Sequence, residues 1–250
     1  MKRGLFSDML ERKLSPVVTP APSPEPAGWL ADRLLPWNTE VGTRVCSVVP
    51  LGFEAYTRIL HPALGPPPNR TPVRWSAAAT WARCVVHPEM QWERITAPRH
   101  PPQGGPPWSQ DPALGWCPPQ VMIPLCEHLV DHTTSPDSVW FAMWLGFPDV
   151  LAVAKRAPEF QLPGREYGLF TGPLSAAAEI ITSPYERRTS PSLWWPDDRA
   201  WCAATEVDFR WTYVGGTESC IRDIERDPRL EALRTSPEHR GDLDGDRLNV

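Results

Sequence analysis

Proline is the residue that most constrains this chain, because it occurs 32 times among 250 residues. Each proline removes a backbone hydrogen-bond donor and fixes φ, which shortens helices and excludes most central strand positions. Thirteen tryptophans compensate for the backbone hydrogen bonds that the prolines remove, since each tryptophan can bury a large apolar area. The chain is also long enough to enclose a sizeable core. Together these features predict short elements and many loops around a tryptophan-rich interior.

The charge and hydropathy of the sequence disfavour two classes of partner. The formal net charge is -5, and there is no basic stripe of the kind that nucleic-acid-binding proteins carry. No window approaches 18 uncharged apolar residues, and the first 18 residues lack the apolar region of a signal peptide. We therefore expect neither a nucleic-acid partner nor a membrane partner.

The six cysteines are scattered and form no C-x-x-C pair. In a chain of this size without a signal peptide, this usage indicates reduced, buried thiols and a cytoplasmic location. Cys117, in a proline-rich stretch, is the one cysteine that we expect to be exposed. No cofactor is expected, because no cofactor-binding motif is present.

Composition divides the chain into three parts. Residues 1–36 form a predicted flexible tail, rich in proline, with a short amphipathic helix over 5–14. Residues 236–250 are polar and rich in glycine and aspartate, which predicts a disordered C-terminal tail. The remaining residues, 37–235, are predicted to form one globular domain.

The periodicity of apolar residues predicts both helices and strands within this domain. Strands are expected at 44–50, 138–146, 165–172 and 201–213, and helices at 52–60, 74–86, 120–132, 174–181, 218–226 and 228–234. We therefore predict an α+β fold, with a mixed or mainly antiparallel sheet of four to six strands and helices packed on it. The tails on either side are predicted to be disordered.

Two histidines on the third predicted helix are candidate metal ligands. His128 and His132 are four residues apart, so both can face one ion, with Asp131 beside them. The alternative is a pair of surface histidines near a helix C-terminus, where the helix dipole favours them. Because no second ligand segment is evident, we predict no metal.

The last predicted strand carries a second candidate site. Glu206 and Asp208 alternate with apolar residues, which would place two carboxylates about 7 Å apart on one face. With His132 and Arg58 they would form a hydrolase-like site, and the proline-rich loop 97–119 would be its lid. The alternative is a solvated sheet face.

The segment WWPDDRAW supplies the third candidate. Trp194 and Trp195, followed by Asp197, Asp198 and Arg199, have the composition of an interface hot spot. In the alternative interpretation the tryptophans pin the loop to the core. We interpret the chain as a non-catalytic cytoplasmic protein that binds an unknown protein or small ligand through this loop, with the hydrolase as the alternative.

Four ordered segments give the chain a resemblance to a known group. They are VPLGFEAYTRILHP, HTTSPDSVWFAMWLGF, REYGLFTGPL and SPSLWWPDDRAWCAATEVDFRWTYVGG, and together they extend through most of residues 45–235. With them the sequence resembles an uncharacterised group of tryptophan-rich cytoplasmic actinobacterial proteins. This resemblance implies an intracellular location but no activity, cofactor or substrate.

Overall fold

The computed structural model describes residues 18–37, 42–97, 104–146, 157–178 and 190–249. The helix predicted near the N-terminus lies outside these residues.

One antiparallel sheet of nine strands organises the described residues, and β3 and β4 form a separate two-stranded sheet. The strands are β1 (Thr19–Pro20), β2 (Ala55–Leu60), β3 (Ala63–Leu64), β4 (Pro72–Val73), β5 (Val139–Trp144), β6 (Glu159–Leu162), β7 (Arg165–Gly172), β8 (Leu193–Pro196), β9 (Cys202–Ala204), β10 (Trp211–Gly216) and β11 (Ala232–Thr235). Their order in the large sheet is β1-β7-β5-β8-β9-β10-β2-β11, with β6 also beside β7.

This sheet confirms the mixture of helices and strands and the antiparallel pairing, but the predicted number of four to six strands is wrong. The difference comes from strands of two to four residues, such as β1, β9 and β11. Strands this short contain too few alternations to give a periodic signal, and they are defined by pairing with their neighbours.

The strand predicted over 201–213 is two strands joined by a turn. In the β9–β10 hairpin Tyr213 pairs with Ala204, and the backbone N–H of Phe209 closes the turn on the carbonyl oxygen of Glu206. Glu206 and Asp208 therefore lie in the turn rather than on a sheet face. Apolar and polar residues continue to alternate through the turn, so their alternation alone did not reveal that the chain reverses there.

Three other elements differ from the prediction in type. Residues 52–60, predicted as a helix, contain β2, which is buried on both faces between β10 and β11. Residues 44–50, predicted as a strand, contain a 3-10 turn at Val45–Ser47. Residues 228–234, predicted as a helix, lead into β11. Short apolar runs fit both periods, and tertiary pairing decides between them.

The helices are short and lie on the two faces of the sheet. They are α1 (Gly28–Ala31), α2 (Trp75–Ala82), α3 (Trp92–Thr96), α4 (Pro119–Leu129) and α5 (Glu218–Glu225), with 3-10 turns at Glu25–Ala27, Val45–Ser47, Val130–His132, Leu174–Ala178 and Leu243–Gly245. Helix α2 ends where Arg83 takes a left-handed conformation, at φ 58°. Pro124 lies inside α4.

The sheet separates two apolar layers. On β5, Val139 and Phe141 face the layer formed with α4 and α5, whereas Ala142 faces the layer formed with α1, α2 and α3. The second layer holds most of the buried tryptophans, among them Trp75, Trp92 and Trp195. The tryptophan-rich interior predicted from composition is therefore concentrated on one side of the sheet.

The described parts of both predicted tails contact this core, which corrects the prediction of disorder for them. In the N-terminal part β1 pairs with β7, and Leu30 is fully buried. In the C-terminal part the carboxylate of Asp246 is fully buried and accepts hydrogen bonds from the backbone N–H of Gln91 and from Asn249. The proline-rich and polar composition of these segments predicts disorder. Their order comes from contacts with residues that are distant in the sequence, which composition does not show.

Two further expectations can be compared with the described residues. Cys117, expected to be exposed, is fully buried, and burial raises the pKa of its thiol to about 12. The described part of the proline-rich loop, from residue 104 onward, packs on the core, since Trp108 contacts Trp81 and Trp92. Within the described ranges, no helix has the length and apolar character needed to cross a membrane.

Candidate functional site

The two predicted metal ligands are bound to different aspartates. The imidazole Nε2 of His128 lies 2.7 Å from a carboxylate oxygen of Asp227, and that of His132 lies 3.0 Å from Asp223. Both contacts connect α4 and its 3-10 extension to α5 and the residues after it. No group of three potential metal ligands occurs in the described part of the chain. The histidines therefore join two helices.

The two predicted catalytic carboxylates have different environments. Glu206 is 5% exposed, and its Oε1 accepts hydrogen bonds from Nε and Nη2 of Arg165, at 3.0 and 2.7 Å. Its Oε2 accepts the backbone N–H of Asp208 at 2.7 Å. The Asp208 side chain is 75% exposed and lies 3.7 Å from Arg165. Glu206 therefore forms an ion pair with Arg165, and the exposed carboxylate of Asp208 lies beside that ion pair.

The last predicted catalytic residue, Arg58, is fully buried on β2. Its guanidinium carbon lies 3.7 Å from the centroid of the Trp211 ring and 5.6 Å from that of Trp75. Its Nη1 donates to the carbonyl oxygen of Pro88 at 2.6 Å. Arg58, His132 and Glu206 each bind a different set of partners, so the structure does not bring the predicted catalytic set together.

The two tryptophans of the predicted binding loop are fully buried, which corrects their expected exposure. Trp194 contacts Trp201 edge to face, in the layer with α4, and Trp195 contacts Trp29 on the opposite layer. Both tryptophans belong to β8, where successive side chains point to opposite faces. They pin the loop to the core, as the alternative interpretation of the sequence had it.

The two aspartates of the loop accept hydrogen bonds from their own protein. Asp197 accepts the indole N–H of Trp140 at 3.0 Å. Asp198 accepts bonds from the hydroxyl groups of Thr133 and Thr134 and from two backbone N–H groups. Burial acts to raise the pKa of Asp198, but these donors outweigh it and lower the pKa. Both carboxylates fix the shape of the loop.

Arg199 is exposed, as are the two aspartates that precede it, and its side chain lies over an aromatic ring. It has φ 55°, a conformation that non-glycine residues seldom adopt. Its guanidinium carbon lies 5.5 Å from the centroid of the Trp29 ring, and that of Arg33 lies 5.6 Å from the same centroid. Trp29 is half-buried and also contacts Phe53 edge to face. We call these four residues the Trp29 patch.

The hydrogen-bond donors of the Trp29 patch are unoccupied among the described residues. Stacking on an indole uses the face of a guanidinium group and leaves its N–H groups free at the edge. Neither Arg33 nor Arg199 contacts a carboxylate or carbonyl oxygen through its side chain in the described ranges. The indole N–H of Trp29 is buried and also lacks an acceptor there. The patch therefore offers cationic donors without acceptors.

Comparison with known proteins adds no assignment to this geometry. No family model, no curated protein and no solved structure matches the chain. The resemblance to a tryptophan-rich group stays a prediction.

Sequence reasoning identified Arg199 but missed Trp29 and Arg33, because both lie in the predicted tail. One signal was available in the segment WLADR, which places Trp29 and Arg33 four residues apart, the spacing of neighbours on a helix. That signal could not show that the loop carrying Arg199 packs against the same ring.

Proposed function

We propose that this protein is a non-catalytic binding protein whose Trp29 patch receives an acidic segment of a protein partner. The observation that carries the proposal is the pair of exposed guanidinium groups, Arg33 and Arg199, at 5.6 and 5.5 Å from one indole centroid. Tryptophan and arginine are the side chains most enriched at interface hot spots. A carboxylate-bearing partner would supply the acceptors that the patch lacks.

The local geometry favours recognition over passive surface exposure. A guanidinium group stacked on a ring loses less side-chain freedom on binding than a free one, because its orientation is already restricted. The left-handed backbone of Arg199 is a strained feature of the kind that concentrates at binding sites. Leu35, which is 40% exposed, adds apolar area at the end of the same N-terminal segment.

The hydrolase alternative receives no comparable support. Its carboxylate Glu206 is held by Arg165, its His132 is paired with Asp223, and its Arg58 is enclosed by tryptophans. We also propose a cytoplasmic location, because all six cysteines are free thiols.

The binding proposal can be tested with a labelled acidic peptide. A fluorescein-labelled peptide rich in glutamate and containing one tryptophan is titrated with the protein at low salt, and anisotropy is recorded. We expect saturable binding that weakens by at least about tenfold in the variant carrying Arg33→Glu and Arg199→Glu. Binding should also weaken as the salt concentration rises.

The matched control carries Arg226→Glu and Arg247→Glu, which reverse the charges of two exposed arginines outside the Trp29 patch and so change the net charge by the same amount. This variant should bind the peptide as tightly as the wild type. Equal loss of binding in the control and in the patch variant would mean that net charge, and not the patch, attracts the peptide. That result, or no binding by the wild type, would refute the proposal.

A further inference from the structure

A second cluster, independent of the Trp29 patch, surrounds the guanidinium group of Arg165. The guanidinium carbon lies 4.8 Å from the centroid of the Trp37 ring and 5.0 Å from that of Trp144. Its Nε and Nη2 both donate to Oε1 of the buried Glu206. Two indoles and a buried carboxylate form the kind of site that binds organic cations. We call this arrangement the cation cage.

Two glycines allow the walls of the cage to form. Gly164 has φ +84° in the two-residue Pro163–Gly164 turn between β6 and β7. A Cβ atom at this position would lie 3.5 Å from the Trp37 ring. At Gly146, a Cβ atom would lie 2.0 Å from the Trp144 ring. Gly146 therefore leaves out a side chain where the Trp144 indole lies, and Gly164 permits the left-handed turn beside Trp37.

Trp37 lines two clefts. The inner cleft, walled also by Tyr167, Ser192 and Thr205, has about 20 Å³ of space, enough for the centre of one water molecule. The outer cleft has about 420 Å³ and is lined by residues that include Asp242 and Asp244. Trp37 lines both clefts, so a ligand that takes the place of the Arg165 side chain would extend along this ring from the inner cleft into the outer one.

The charges around these two clefts favour a cation. Four carboxylates lie there with two guanidinium groups among the described residues, so negative charge is in excess. The carboxylates belong to Glu206, Asp208, Asp242 and Asp244, and the guanidinium groups to Arg165 and Arg240. Asp244 is 79% exposed and lies 3.8 Å from Arg240, which is already bound to Asp242 at 2.6 Å. Asp244 is therefore available to a second cation.

A second carboxylate is available to the Arg165 side chain when a ligand enters the cage. Its Nη2 lies 2.7 Å from the buried carboxylate of Glu206 and 3.7 Å from the exposed carboxylate of Asp208. A small outward movement would exchange the first partner for the second without leaving the guanidinium group unpaired. The long, flexible side chain of arginine can make that exchange at the entrance of the site.

We propose that the cation cage binds the guanidinium group of a small aminoalkylguanidine in place of Arg165. The ligand guanidinium would lie between Trp37 and Trp144 against Glu206, and its alkyl chain would pass along Trp37 into the outer cleft. Its ammonium end would reach Asp244. Arg165 is then a displaceable occupant that keeps the cage closed, and the occupant seen in the structure shows which chemical group the cage fits.

The first test compares three ligands by isothermal titration calorimetry with the wild-type protein. The ligands are 4-aminobutylguanidine, butylguanidine and the uncharged isostere butylurea. We expect 4-aminobutylguanidine to bind about tenfold more tightly than butylguanidine, because it has a second charge. Butylurea should not bind, since it lacks the positive charge that the indoles and Glu206 attract.

Variants then locate the binding site. Arg165→Ala removes the competing occupant and should tighten the binding of both guanidines about tenfold. Asp244→Asn should lower the affinity for 4-aminobutylguanidine to that of butylguanidine and leave butylguanidine unchanged. Asp223→Asn, at an exposed carboxylate paired with His132, is the control and should change neither affinity.

Loss of binding in Glu206→Gln is expected, but removal of a buried charge can also unfold a protein. Trp37→Leu, at the half-buried outer wall, therefore provides a second variant, and both proteins are checked by circular dichroism. Binding by Arg165→Ala alone, with none by the wild type, would overturn the proposal, because it would report only a cavity made by the substitution. Equal binding of butylurea, or full binding by Trp37→Leu, would overturn it as well.

Discussion

Replacement of Arg58 tests how a buried cation is tolerated in the tryptophan layer. Burial lowers the pKa of Arg58 from 12.5 to about 10, which corresponds to about 3 kcal/mol against the charged form in the folded state. Its Nε and Nη2 have no partner among the described residues. Contacts with the rings of Trp75 and Trp211 offset this cost, at about 2 kcal/mol for each desolvated pair.

The two opposing contributions predict different results for two substitutions. Arg58→Met keeps the length of the side chain and removes the charge, so we expect its free energy of unfolding to stay within about 1 kcal/mol of the wild type at pH 7. Arg58→Ala leaves a cavity between two indoles and removes the donor to Pro88, so we expect a loss of about 3 kcal/mol. Urea unfolding followed by circular dichroism measures both values.

The pH dependence supplies an independent check. Because the pKa of Arg58 is lowered on folding, the cost of its charge is fully present below about pH 9 and is relieved as the pH rises through 10. The wild type should therefore gain about 1 kcal/mol relative to Arg58→Met between about pH 8 and about pH 10.5. Comparison at each pH removes contributions that both proteins share, such as the ionisation of tyrosines and cysteines that do not interact with Arg58; Tyr213 interacts with Arg58 and is not among them.

Two results would refute this reasoning. The first is a loss in Arg58→Met as large as that in Arg58→Ala, which would mean that the charge itself stabilises the fold. The second is a constant difference between the wild type and Arg58→Met across the whole pH range, which would mean that burial does not lower the pKa of this arginine.

Three further outcomes are expected. Gly146→Ala should lower the free energy of unfolding, measured by thermal denaturation, by about 1–3 kcal/mol, because the new Cβ would lie 2.0 Å from the Trp144 ring. Gly105→Ala is the control and should have no effect, because the space around Gly105 is open. Hydrogen bonds from Arg229 hold the pKa of Asp227 well below its usual range, so this carboxylate contributes stability above about pH 4 that is lost as the pH falls further. Asp227→Asn should accordingly lose less stability than the wild type between about pH 4.5 and about pH 2.5 in urea titrations. Mass spectrometry after brief alkylation should show one fast thiol, Cys84, since the other five are buried, and a second fast thiol would contradict this burial.

The strongest sequence patterns located the elements that lie inside the sheet or carry clear end signals. The apolar run at 138–146 predicted β5, which is paired on both sides. The helix predicted over 218–226 is α5, which begins after Thr217, whose side chain accepts the backbone N–H of Cys220. Apolar periodicity predicted the wrong element where a turn or a partner strand determines the structure. The β9–β10 hairpin was predicted as one strand, and β2 was predicted as a helix. Local periodicity contains no information about which distant strand will pair.

The candidate sites were less accessible to sequence reasoning than the fold. Arg199 was identified because it follows two tryptophans and two aspartates, but its neighbours in the loop proved to be structural. The residues that complete its surface, Trp29 and Arg33, come from a segment about 170 positions earlier. Glu206 was identified as a carboxylate, whereas Arg165, which neutralises it, was only one residue among many in a predicted strand.

The sequence by itself determined the composition of this protein's core, the α+β class and the net negative charge, because these depend on which residues are present and on local spacing. Tertiary structure decided which tryptophans are buried, which charges are paired and which remain free. Trp194 and Trp195 are hidden because β8 lies between β5 and β9, and Trp29 is half-exposed because it lies at the edge of that layer. Exposure and pairing depend on contacts between segments far apart in the chain, and these exist only once the sheet has formed.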